Sequence, residues 1–453
     1  MQPKNIRGAR YILGRLQCWL YVMRRARQKN KYPLLRASGI YEAARMMNAI
    51  GIDRWIKWNG SYRQTLVTPL WPSPVYDRFL AKGGLNVDDP GDPNNRRWTD
   101  LAMVSITRKC SVGRCRHCSE AHNLGREDVV PIEKLHEVVR VLQERGTGVI
   151  ALTGGEPFDA PERLLEIIEK GDKTKSEFRV YTTGKGVTAE WAKKLAAAGL
   201  DSVLISIDGY DSETHDLFRR KRGVFDRAMD AIRHFQDAGV FVFANVTLTK
   251  DLIRGDGLER LWGKMKEMEV PAIQMIEPKT CGGYFQDALD DLFTKEDIER
   301  TRDLVRRIRA LPGDGPVIYW VDEEERHIGC RAGGMLLFHV DSVGNVAPCV
   351  FLPITFGNIL EDDFETIFER MREATPDKAM SGCISNQLTP KMLKLFEQGH
   401  KVPISYELIQ REFDSIYQSD EDYDREEPPD MKWRDKVETE DLVETVPDVP
   451  YGF

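Results

Sequence analysis

The sequence lacks any long apolar segment. No run of about 18 apolar residues, the length typical of a membrane-spanning helix, occurs among its 453 residues. The stretch from Ile12 to Met23 still contains polar residues and is followed by Arg24-Arg25-Ala26-Arg27 without a small-residue cleavage site. We therefore expect no secretory signal peptide and a cytoplasmic protein. Apolar residues make up 41% of the chain, which is ample for a buried core.

Cysteine is also scarce, but it is grouped. Eight cysteines in a chain of this length do not fit the disulfide framework of a small secreted domain. Three of them, Cys110, Cys115 and Cys118, share one loop after a predicted strand. Structural zinc sites usually have four ligands, and His117 lies inside the turn between Cys115 and Cys118, where we do not expect it to reach the same metal. Three thiolates favour an iron–sulfur cluster with one iron open to a small molecule, with zinc and disulfides as the alternatives.

Glycine-rich and polar motifs follow the predicted strands downstream of this loop. The apolar run from Val149 to Thr153 leads directly into Gly154-Gly155-Glu156-Pro157, where two glycines allow the backbone to approach a ligand closely. Further strands are predicted at 178–181, 202–207, 240–243 and 273–276, with helical patterns between them. Such alternation predicts parallel βαβ units, whose active sites collect at the carboxyl ends of the strands.

Each motif alone also has an ordinary structural explanation. A Gly-Gly pair is usually a turn, and Ser206 or Asp208 would serve as the cap of the following helix. Arg219 begins the basic run 219–222, which is typical of a solvated face. The order of the motifs favours function, because three of them fall at the ends of successive predicted strands.

In combination, the motifs resemble those of the radical S-adenosylmethionine (radical SAM) superfamily. The resemblance covers about residues 100 to 285 and rests on the three-cysteine loop, on Gly154-Gly155-Glu156-Pro157, and on Ser206-Ile207-Asp208-Gly209 followed by His215-Asp216-Leu217-Phe218-Arg219. It implies an α/β fold, a partial (β/α)6 barrel with a C-terminal twitch/SPASM-like extension. It further implies that the three cysteines hold a [4Fe–4S] cluster whose open iron is chelated by the amino and carboxylate groups of S-adenosylmethionine.

The same resemblance implies contacts between the cofactor and named residues, and it identifies no catalytic residue. The methionine amino group is expected at Gly154, Gly155 and Glu156, the ribose and carboxylate at Ser206, Asp208 and Arg219, and the adenine near His117. One feature departs from the family pattern. The usual loop is Cys-x3-Cys-x2-Cys, whereas four residues separate Cys110 from Cys115. We expect Gly113 to absorb the extra residue.

A second group of cysteines follows the predicted barrel. Cys330 and Cys349 flank an apparent hairpin formed by 336–340 and 346–347, and Cys383 comes later. This group resembles the SPASM or shorter twitch extension, and its size implies one auxiliary [4Fe–4S] cluster rather than two. Cys281, after the last predicted barrel strand, is the favoured fourth ligand. The alternatives are an iron open to substrate, a thiol that donates a hydrogen atom, and an inert buried thiol.

Charge is distributed unevenly along the chain. The first 41 residues hold ten Lys or Arg and no acidic residue, whereas residues 413 to 453 hold fourteen Asp or Glu against four basic residues. We divide the chain into a basic, mainly helical region, the barrel, the auxiliary-cluster domain and an acidic tail. Their predicted bounds are 1–97, 98–315, 316–395 and 396–453.

The basic N-terminal segment includes a predicted amphipathic helix. One of its faces carries Ile12, Leu16, Trp19, Leu20 and Met23, with arginines off that face, a pattern typical of a helix on an anionic membrane surface. Packing of this helix against the chain's own acidic tail or core is the favoured interpretation. Peripheral membrane contact through residues 1–30 is the second. Nucleic acid is not an expected partner, because no binding motif accompanies the basic residues.

The resemblance implies an enzyme that reductively cleaves S-adenosylmethionine and abstracts hydrogen from a substrate carbon through a 5′-deoxyadenosyl radical. It also implies a flavodoxin- or ferredoxin-like electron donor. A peptide or natural product is the expected substrate, with a carbohydrate or membrane lipid as the alternative. The alternative of another class is a non-catalytic iron–sulfur or zinc protein that carries electrons or scaffolds a partner. The Gly-Gly-Glu-Pro and Ser-Ile-Asp-Gly motifs argue against it, because an electron carrier does not need a cofactor cradle.

Overall fold

The computed structural model describes most of the chain. The described ranges are 3–29, 55–80, 99–113, 115, 117–282, 291–311, 314–323, 329–375 and 382–419. Their strands are β1 (Lys4–Ile6), β2 (Trp55–Trp58), β3 (Ser61–Arg63), β4 (Leu101–Thr107), β5 (Val149–Gly154), β6 (Glu177–Thr182), β7 (Ser202–Ser206), β8 (Phe241–Thr247), β9 (Ala272–Ile276), β10 (Val317–Trp320), β11 (Leu337–Val340), β12 (Val346–Ala347), β13 (Ile354–Thr355) and β14 (Ile404–Ser405). Their helices are α1 (Gly8–Lys29), α2 (Pro74–Phe79), α3 (Ile132–Arg145), α4 (Pro161–Lys170), α5 (Ala189–Ala197), α6 (Ser212–Arg219), α7 (Val224–Asp237), α8 (Lys250–Ile253), α9 (Gly257–Glu267), α10 (Lys295–Ala310), α11 (Phe364–Ala374), α12 (Ile384–Glu397) and α13 (Tyr406–Ser419).

A nine-stranded sheet with the order β10-β9-β8-β7-β6-β5-β4-β11-β12 organises the molecule. Neighbours from β4 to β10 are parallel, β11 is parallel to β4, and only β12 runs antiparallel. The intervening helices make each parallel connection possible. This arrangement confirms the predicted α/β fold with a partial barrel.

The sheet has a helix-covered face and an inner face, and β4 shows how the sequence separates them. Ala102, Val104 and Ile106 alternate along the strand and belong to the large core that also contains the apolar side of α3. Leu101 and Met103 point the other way, into a smaller cluster with Val149 and Ala151 of β5. Because side chains alternate along a strand, Ser105 follows them on the same face. The polar residue therefore stands on the inner face, near the carboxyl end of the strand.

The N-terminal region fills the inner face at the amino ends of the strands. Trp58 packs edge-on against Phe241 at the start of β8, with ring centroids 5.4 Å apart. The other members of this cluster are Ile56, Leu66, Leu204, Phe243, Ala272, Val317 and Tyr319. Because the amino end is filled, the open part of the inner face is at the carboxyl end.

Three short strands, β1, β2 and β3, form an antiparallel sheet in the region that was predicted to be mainly helical. The local signal was present in the sequence. Asn59-Gly60 joins β2 to β3 with φ values of 44° and 87°, and an Asn-Gly pair is typical of a two-residue hairpin turn. The partner of β1 lies about fifty residues away, with Lys4 paired to Lys57, which local patterns do not reveal.

The predicted hairpin after the barrel is present as β11 and β12, and it extends the main sheet beside β4. β10 joins the opposite edge. Strands on both sides of the predicted boundary at 315/316 therefore share one sheet, and the domain boundaries stay predictions. None of the helices in the described ranges is both long enough and apolar enough to cross a membrane.

A buried ion pair fastens the N-terminal region to the barrel. Arg63 of β3 donates from Nη1 to Oε2 of Glu177 at 2.9 Å, and both side chains are almost fully buried. The other carboxylate oxygen of Glu177 accepts a hydrogen bond from the Leu70 amide at 2.5 Å. A buried charge that loses its partner is strongly destabilising. We therefore expect this ion pair to stabilise the packing of the N-terminal region on the amino ends of the strands.

We expect Glu177→Gln to lower the free energy of unfolding by about 3–5 kcal/mol, because it leaves the Arg63 charge buried without its carboxylate. Chemical denaturation followed by tryptophan fluorescence measures the change. Glu190→Gln is the matched control, since Glu190 pairs with Lys194 on the surface, where such pairs contribute little. Similar denaturation midpoints for Glu177→Gln and Glu190→Gln would show that the Arg63–Glu177 ion pair does not stabilise the protein as proposed.

Candidate functional site

The three cysteines of the first loop lie together just beyond the carboxyl end of β4. Cys115 is buried with Val112 and with Val224 at the start of α7, and Cys110 and Cys118 pack against that cluster. The backbone closes on itself, since the Cys118 amide donates to the Cys115 carbonyl at 3.3 Å. Burial raises the pKa of Cys110 to about 11, and burial together with the neighbouring thiols raises the pKa of Cys118. Three thiols grouped in this way become thiolates only if a cation compensates their charge, which suits a metal cluster.

The extra residue between Cys110 and Cys115 is accommodated at Gly113. Its φ of 85° lies in the left-handed region, which favours glycine, and its amide donates to Cys110 Sγ at 3.3 Å. In the described part of the chain, no set of three or more His, Cys, Asp or Glu side chains is arranged to hold a metal ion. The assignment of these thiols to a cluster therefore rests on their grouping and on the turn that holds them.

The Gly154-Gly155 turn is bonded directly to the backbone that precedes Cys110. The Gly155 amide donates to the Thr107 carbonyl at 2.8 Å, and the Glu156 amide donates to the Lys109 carbonyl at 2.7 Å. A Cβ atom at Gly154 or Gly155 would overlap those two carbonyl oxygens. Glycine is thus required at both positions for the turn to pack on the strand end.

The Glu156 side chain is directed into the protein and braces the next strand. Thr182 and Thr183 donate from their hydroxyls to Oε1 and Oε2, each at 2.6 Å. The amides of Thr183 and Phe158 add two further bonds. Burial raises the pKa of this carboxyl, while the threonine hydrogen bonds oppose the rise. Contact of Glu156 with a methionine amino group stays a prediction. In the structure, the Glu156 carboxylate holds the turn in place through its hydrogen bonds to Thr182 and Thr183.

A buried ion pair connects the motif after β7 with the cysteine loop. Arg219, on the last turn of α6, donates from Nε to Oδ2 of Asp208 at 2.6 Å, and its Nη1 lies 3.7 Å from Cys115 Sγ. Asp208 also accepts from the Thr247 amide at 2.8 Å. Burial raises the pKa of Asp208, but Arg219 and the neighbouring histidines outweigh it and hold that pKa below its usual range. The pair therefore places a fixed positive charge beside the thiols.

His117 stacks on Phe218, with ring centroids 4.9 Å apart and planes inclined by 7°. Burial, with a further contribution from the Arg219 charge, lowers the pKa of His117 to about 3, so the ring is neutral at physiological pH. Its Nδ1 is buried and accepts or donates no hydrogen bond within the described residues. The ring thus offers a flat neutral surface beside the cysteine loop.

A row of polar side chains crosses four neighbouring strands at the level of Ser206. Ser206 is paired with Asn245 of β8, Asn245 with Gln274 of β9, and Gln274 with Tyr319 of β10. Tyr181 of β6 donates from its hydroxyl to Gln274 Oε1 at 3.4 Å, and Asn245 Oδ1 is buried without a hydrogen-bond partner among the described residues. Only Ser206 of this row was predicted from the sequence. The other residues of the row lie on separate strands. Because only the strand register brings them side by side, no local sequence pattern predicts the row.

The second cysteine group includes the thiols of Cys281, Cys330, Cys349 and Cys383. Burial raises the pKa of Cys281 to about 12, with a further contribution from Cys383. Burial also raises the pKa of Cys349, to which Cys383 and Cys330 both contribute. Ser385, two residues after Cys383, donates from its hydroxyl to the Phe351 carbonyl at 2.7 Å, and the same hydroxyl lies 3.5 Å from the Thr280 carbonyl. The Gly333 amide donates to the Pro348 carbonyl at 2.9 Å. These contacts hold the backbone segments that carry the four cysteines beside one another.

A buried lysine faces this second group. Lys279 Nζ lies 2.6 Å from Glu277 Oε1, and both side chains are almost fully buried. Trp320 donates from its indole Nε1 to the other oxygen of Glu277 at 3.2 Å. The Lys279 charge opposes the rise in the pKa of both Cys281 and Cys349. It is a residue that the sequence analysis missed and that suits a site with clustered thiolates.

The two cysteine groups are in direct backbone contact. Gly282 has a φ of 50°, and a Cβ atom there would overlap the carbonyl oxygen of Cys118. Glu120, two residues after Cys118, supplies a second connection. It accepts hydrogen bonds from Ser342 Oγ at 2.6 Å and from Ser105 Oγ at 3.2 Å. His339 Nε2 lies 2.9 Å from the same Ser105 hydroxyl.

No local pattern predicts the Glu120 network, because Glu120 and Ser342 are 222 residues apart in the sequence. Asn123 extends it by donating from Nδ2 to Asp341 Oδ2 at 2.9 Å. The network joins the loop after Cys118 to the turn between β11 and β12. The cysteine loop is therefore held from the barrel side and from the C-terminal side.

Comparison with known proteins finds similarity over the barrel region. The model of the radical SAM superfamily matches residues 104–266. The Fe-coproporphyrin III synthase of Methanosarcina barkeri is 29% identical over 219 residues, which are 48% of this chain and 53% of that protein. The subtilosin biosynthesis protein AlbA of Bacillus subtilis is 25% identical over 281 residues, which are 59% of each chain. This chain thus spans little more than half the length of either relative.

A solved structure shows the same fold. SuiB of Streptococcus suis, determined with bound S-adenosylmethionine, superposes with a TM-score of 0.51 at 17% identity. The match covers 64% of this chain and 74% of SuiB.

We expect Gly282→Ala to reduce iron bound by the first cysteine loop, because the new methyl group must displace the Cys118 backbone and a left-handed φ disfavours alanine. Iron per chain after anaerobic reconstitution, together with the low-temperature EPR of the reduced protein, measures the loss. Gly263→Ala is the control, since a Cβ atom there meets nothing within 4 Å. Normal iron content in Gly282→Ala would show that this contact does not hold the loop.

Proposed function

Because the chain carries a radical SAM domain and belongs to that superfamily of enzymes, we propose that Cys110, Cys115 and Cys118 hold its [4Fe–4S] cluster and that the chain abstracts hydrogen from a substrate carbon. Bound there, the cluster and S-adenosylmethionine supply a one-electron cleavage of the carbon–sulfur bond and a 5′-deoxyadenosyl radical. The observation that carries the proposal is the hydrogen-bonded contact of the Gly154-Gly155 turn with the strand end before Cys110. This contact supports the proposal because the turn lies beside the three thiols, where its backbone would be able to bind the cofactor.

The surrounding residues bind and orient the cofactor in this proposal. Backbone carbonyls of Gly154 and Gly155 receive the methionine amino group, and the Glu156 carboxylate holds their turn in place. Ser206 and the Asp208–Arg219 pair bind the ribose and carboxylate. The neutral His117 ring packs near the adenine, since a stacked, desolvated ring offers an apolar surface. A flavodoxin- or ferredoxin-like protein supplies the electron.

Cys330, Cys349 and Cys383 hold one auxiliary [4Fe–4S] cluster in this proposal, with Cys281 as the fourth ligand. The thiols influence one another electrostatically, and four thiolates are the usual ligand set of such a cluster. Lys279 supports the assignment because its buried charge offsets part of the negative charge of the thiolates. Cys281 also brings this group beside the first loop through Gly282.

A peptide is the substrate class that the described side chains favour. Asn245 and Gln274 offer uncharged donors and acceptors in one row, which suits the amides of a peptide backbone. The name of AlbA places one relative in bacteriocin biosynthesis. A tetrapyrrole is the second candidate because of the similarity to Fe-coproporphyrin III synthase. Its carboxylates need cations, yet Arg219 and Lys279 already pair with Asp208 and Glu277.

We expect anaerobically reconstituted protein, given dithionite and S-adenosylmethionine, to release 5′-deoxyadenosine. Cys115→Ala should release none, because the first cluster loses a ligand. Wild type should bind about eight iron atoms per chain, and the Cys330→Ala/Cys349→Ala/Cys383→Ala variant about four.

Cys18→Ala is the matched control for these cysteine substitutions, since Cys18 is buried in the separate N-terminal cluster. It should change neither iron content nor product. Equal amounts of 5′-deoxyadenosine from wild type and Cys115→Ala would overturn the proposed enzyme. Unchanged iron in the triple variant would remove the auxiliary site alone.

We expect the peptide fraction of deuterium-labelled cells to be the fraction that transfers deuterium into 5′-deoxyadenosine, because a hydrogen atom leaves the substrate during the reaction. Aqueous peptides and an acidified organic extract, which contains tetrapyrroles and lipids, are supplied separately to the reconstituted protein. Mass spectrometry of 5′-deoxyadenosine measures the transfer. Transfer from the organic extract alone would overturn the peptide assignment while leaving the radical chemistry intact.

A further inference from the structure

Helix α1 is held against the protein by a face that differs from its most apolar face. Cys18 and Val22 are buried in a cluster with Trp55 and Trp71, and Gly14, one turn before Cys18, is buried on the same face. Gly14 lets the Trp55 ring approach, since a Cβ atom there would lie 3.3 Å from it. Burial of this face packs α1 against the N-terminal sheet.

The face that was predicted to be the apolar side of this helix points outward instead. Ile12, Leu13, Leu16 and Leu20 are exposed by 67%, 54%, 50% and 53%. They supply four of the nine large hydrophobic side chains that are exposed in the described part of the chain. Ile12, Leu16 and Leu20 recur once per turn and form a continuous stripe. A contiguous apolar patch of this kind usually marks an interaction surface.

The charges that α1 itself places beside this stripe are positive. Arg10 and Arg24 are exposed and, at about 100° per residue, lie along the edge of the stripe next to Leu13 and Leu20. The helix contains no acidic residue. Among the described residues, Asp77 on the docked side is an acidic partner of this helix, and it pairs with Arg25 at 2.7 Å. The outward face therefore suits a surface that is both anionic and apolar.

We propose that the outward face of α1 binds an anionic membrane surface, with the helix lying in the plane of the interface. The aliphatic stripe enters the boundary between headgroups and acyl chains, and Arg10 and Arg24 remain at the phosphate level. An anionic lipid surface offers both properties at once, which favours it over a second copy of this chain or the acidic segment 420–453. The inference is independent of the proposed chemistry.

The position of α1 keeps the site open in this arrangement. Asn5, just before the helix, donates from Nδ2 to the Gly315 carbonyl at 2.8 Å, and Gly315 precedes β10 at the amino edge of the sheet. The cysteine loop lies at the carboxyl edge. A membrane bound by α1 is thus at the end of the barrel that the N-terminal region fills, and the opposite end stays accessible.

Vesicle sedimentation with the full chain tests the proposal. The reconstituted protein is mixed with phosphatidylcholine vesicles with and without phosphatidylglycerol. We expect binding to the anionic vesicles, weakened by salt because the arginine contribution is screened. The Ile12→Ser/Leu16→Ser/Leu20→Ser variant should lose at least about tenfold in partitioning, and binding of Arg10→Gln/Arg24→Gln should depend less on salt than that of wild type.

Leu360→Ser/Leu408→Ser is the matched control, since both leucines are exposed elsewhere, and it should bind like wild type. Circular dichroism and iron content check that each variant is folded. Wild-type binding by the triple serine variant would overturn the proposal. Vesicle binding that appears only after deletion of 420–453 would also overturn it. The same holds if wild type is a dimer that does not bind vesicles and the triple serine variant is a monomer.

Discussion

The candidate site depends on the contact between two backbone segments at the carboxyl edge of the sheet. The strand end before Cys110 accepts hydrogen bonds from the amides of Gly155 and Glu156, and no side chain fits between the two segments. Because the strands are parallel and adjacent, this contact places the cysteine loop beside the turn without a long connection. Glu156 then carries the position of the turn onward to the next strand through Thr182 and Thr183.

The two cysteine groups are parts of one assembly in this structure. Gly282 rests on the Cys118 backbone, and Glu120 joins the same loop to the turn after β11 through Ser342. A displacement of the turn after β11 would therefore reach the first cysteine loop through Glu120, and a displacement of the segment after Cys281 would reach it through Gly282. Positive charge accompanies both groups, from Arg219 beside Cys115 and from Lys279 near Cys281. Such charges favour clusters of thiolates over neutral thiols.

Local sequence patterns predicted the barrel strands, the β11–β12 hairpin and the motifs at the strand ends, because each depends on neighbouring residues. They did not predict contacts between distant segments. Glu120 needs Ser342, the row beginning at Ser206 needs strand register, and the orientation of α1 depends on Trp55 and Trp71, which lie outside the helix. The hairpin at Asn59-Gly60 is different, since its turn signal is local and was present in the sequence.

The central claim is that S-adenosylmethionine binds directly to an iron held by the Cys110, Cys115 and Cys118 loop. Electron–nuclear double resonance of the reduced protein with S-adenosylmethionine labelled with nitrogen-15 in its methionine amino group tests it most directly. The account predicts a hyperfine coupling between that nitrogen and the cluster in wild type, and the same coupling in the variant that lacks Cys330, Cys349 and Cys383. A reduced cluster in wild type with no coupling to the labelled nitrogen would contradict it.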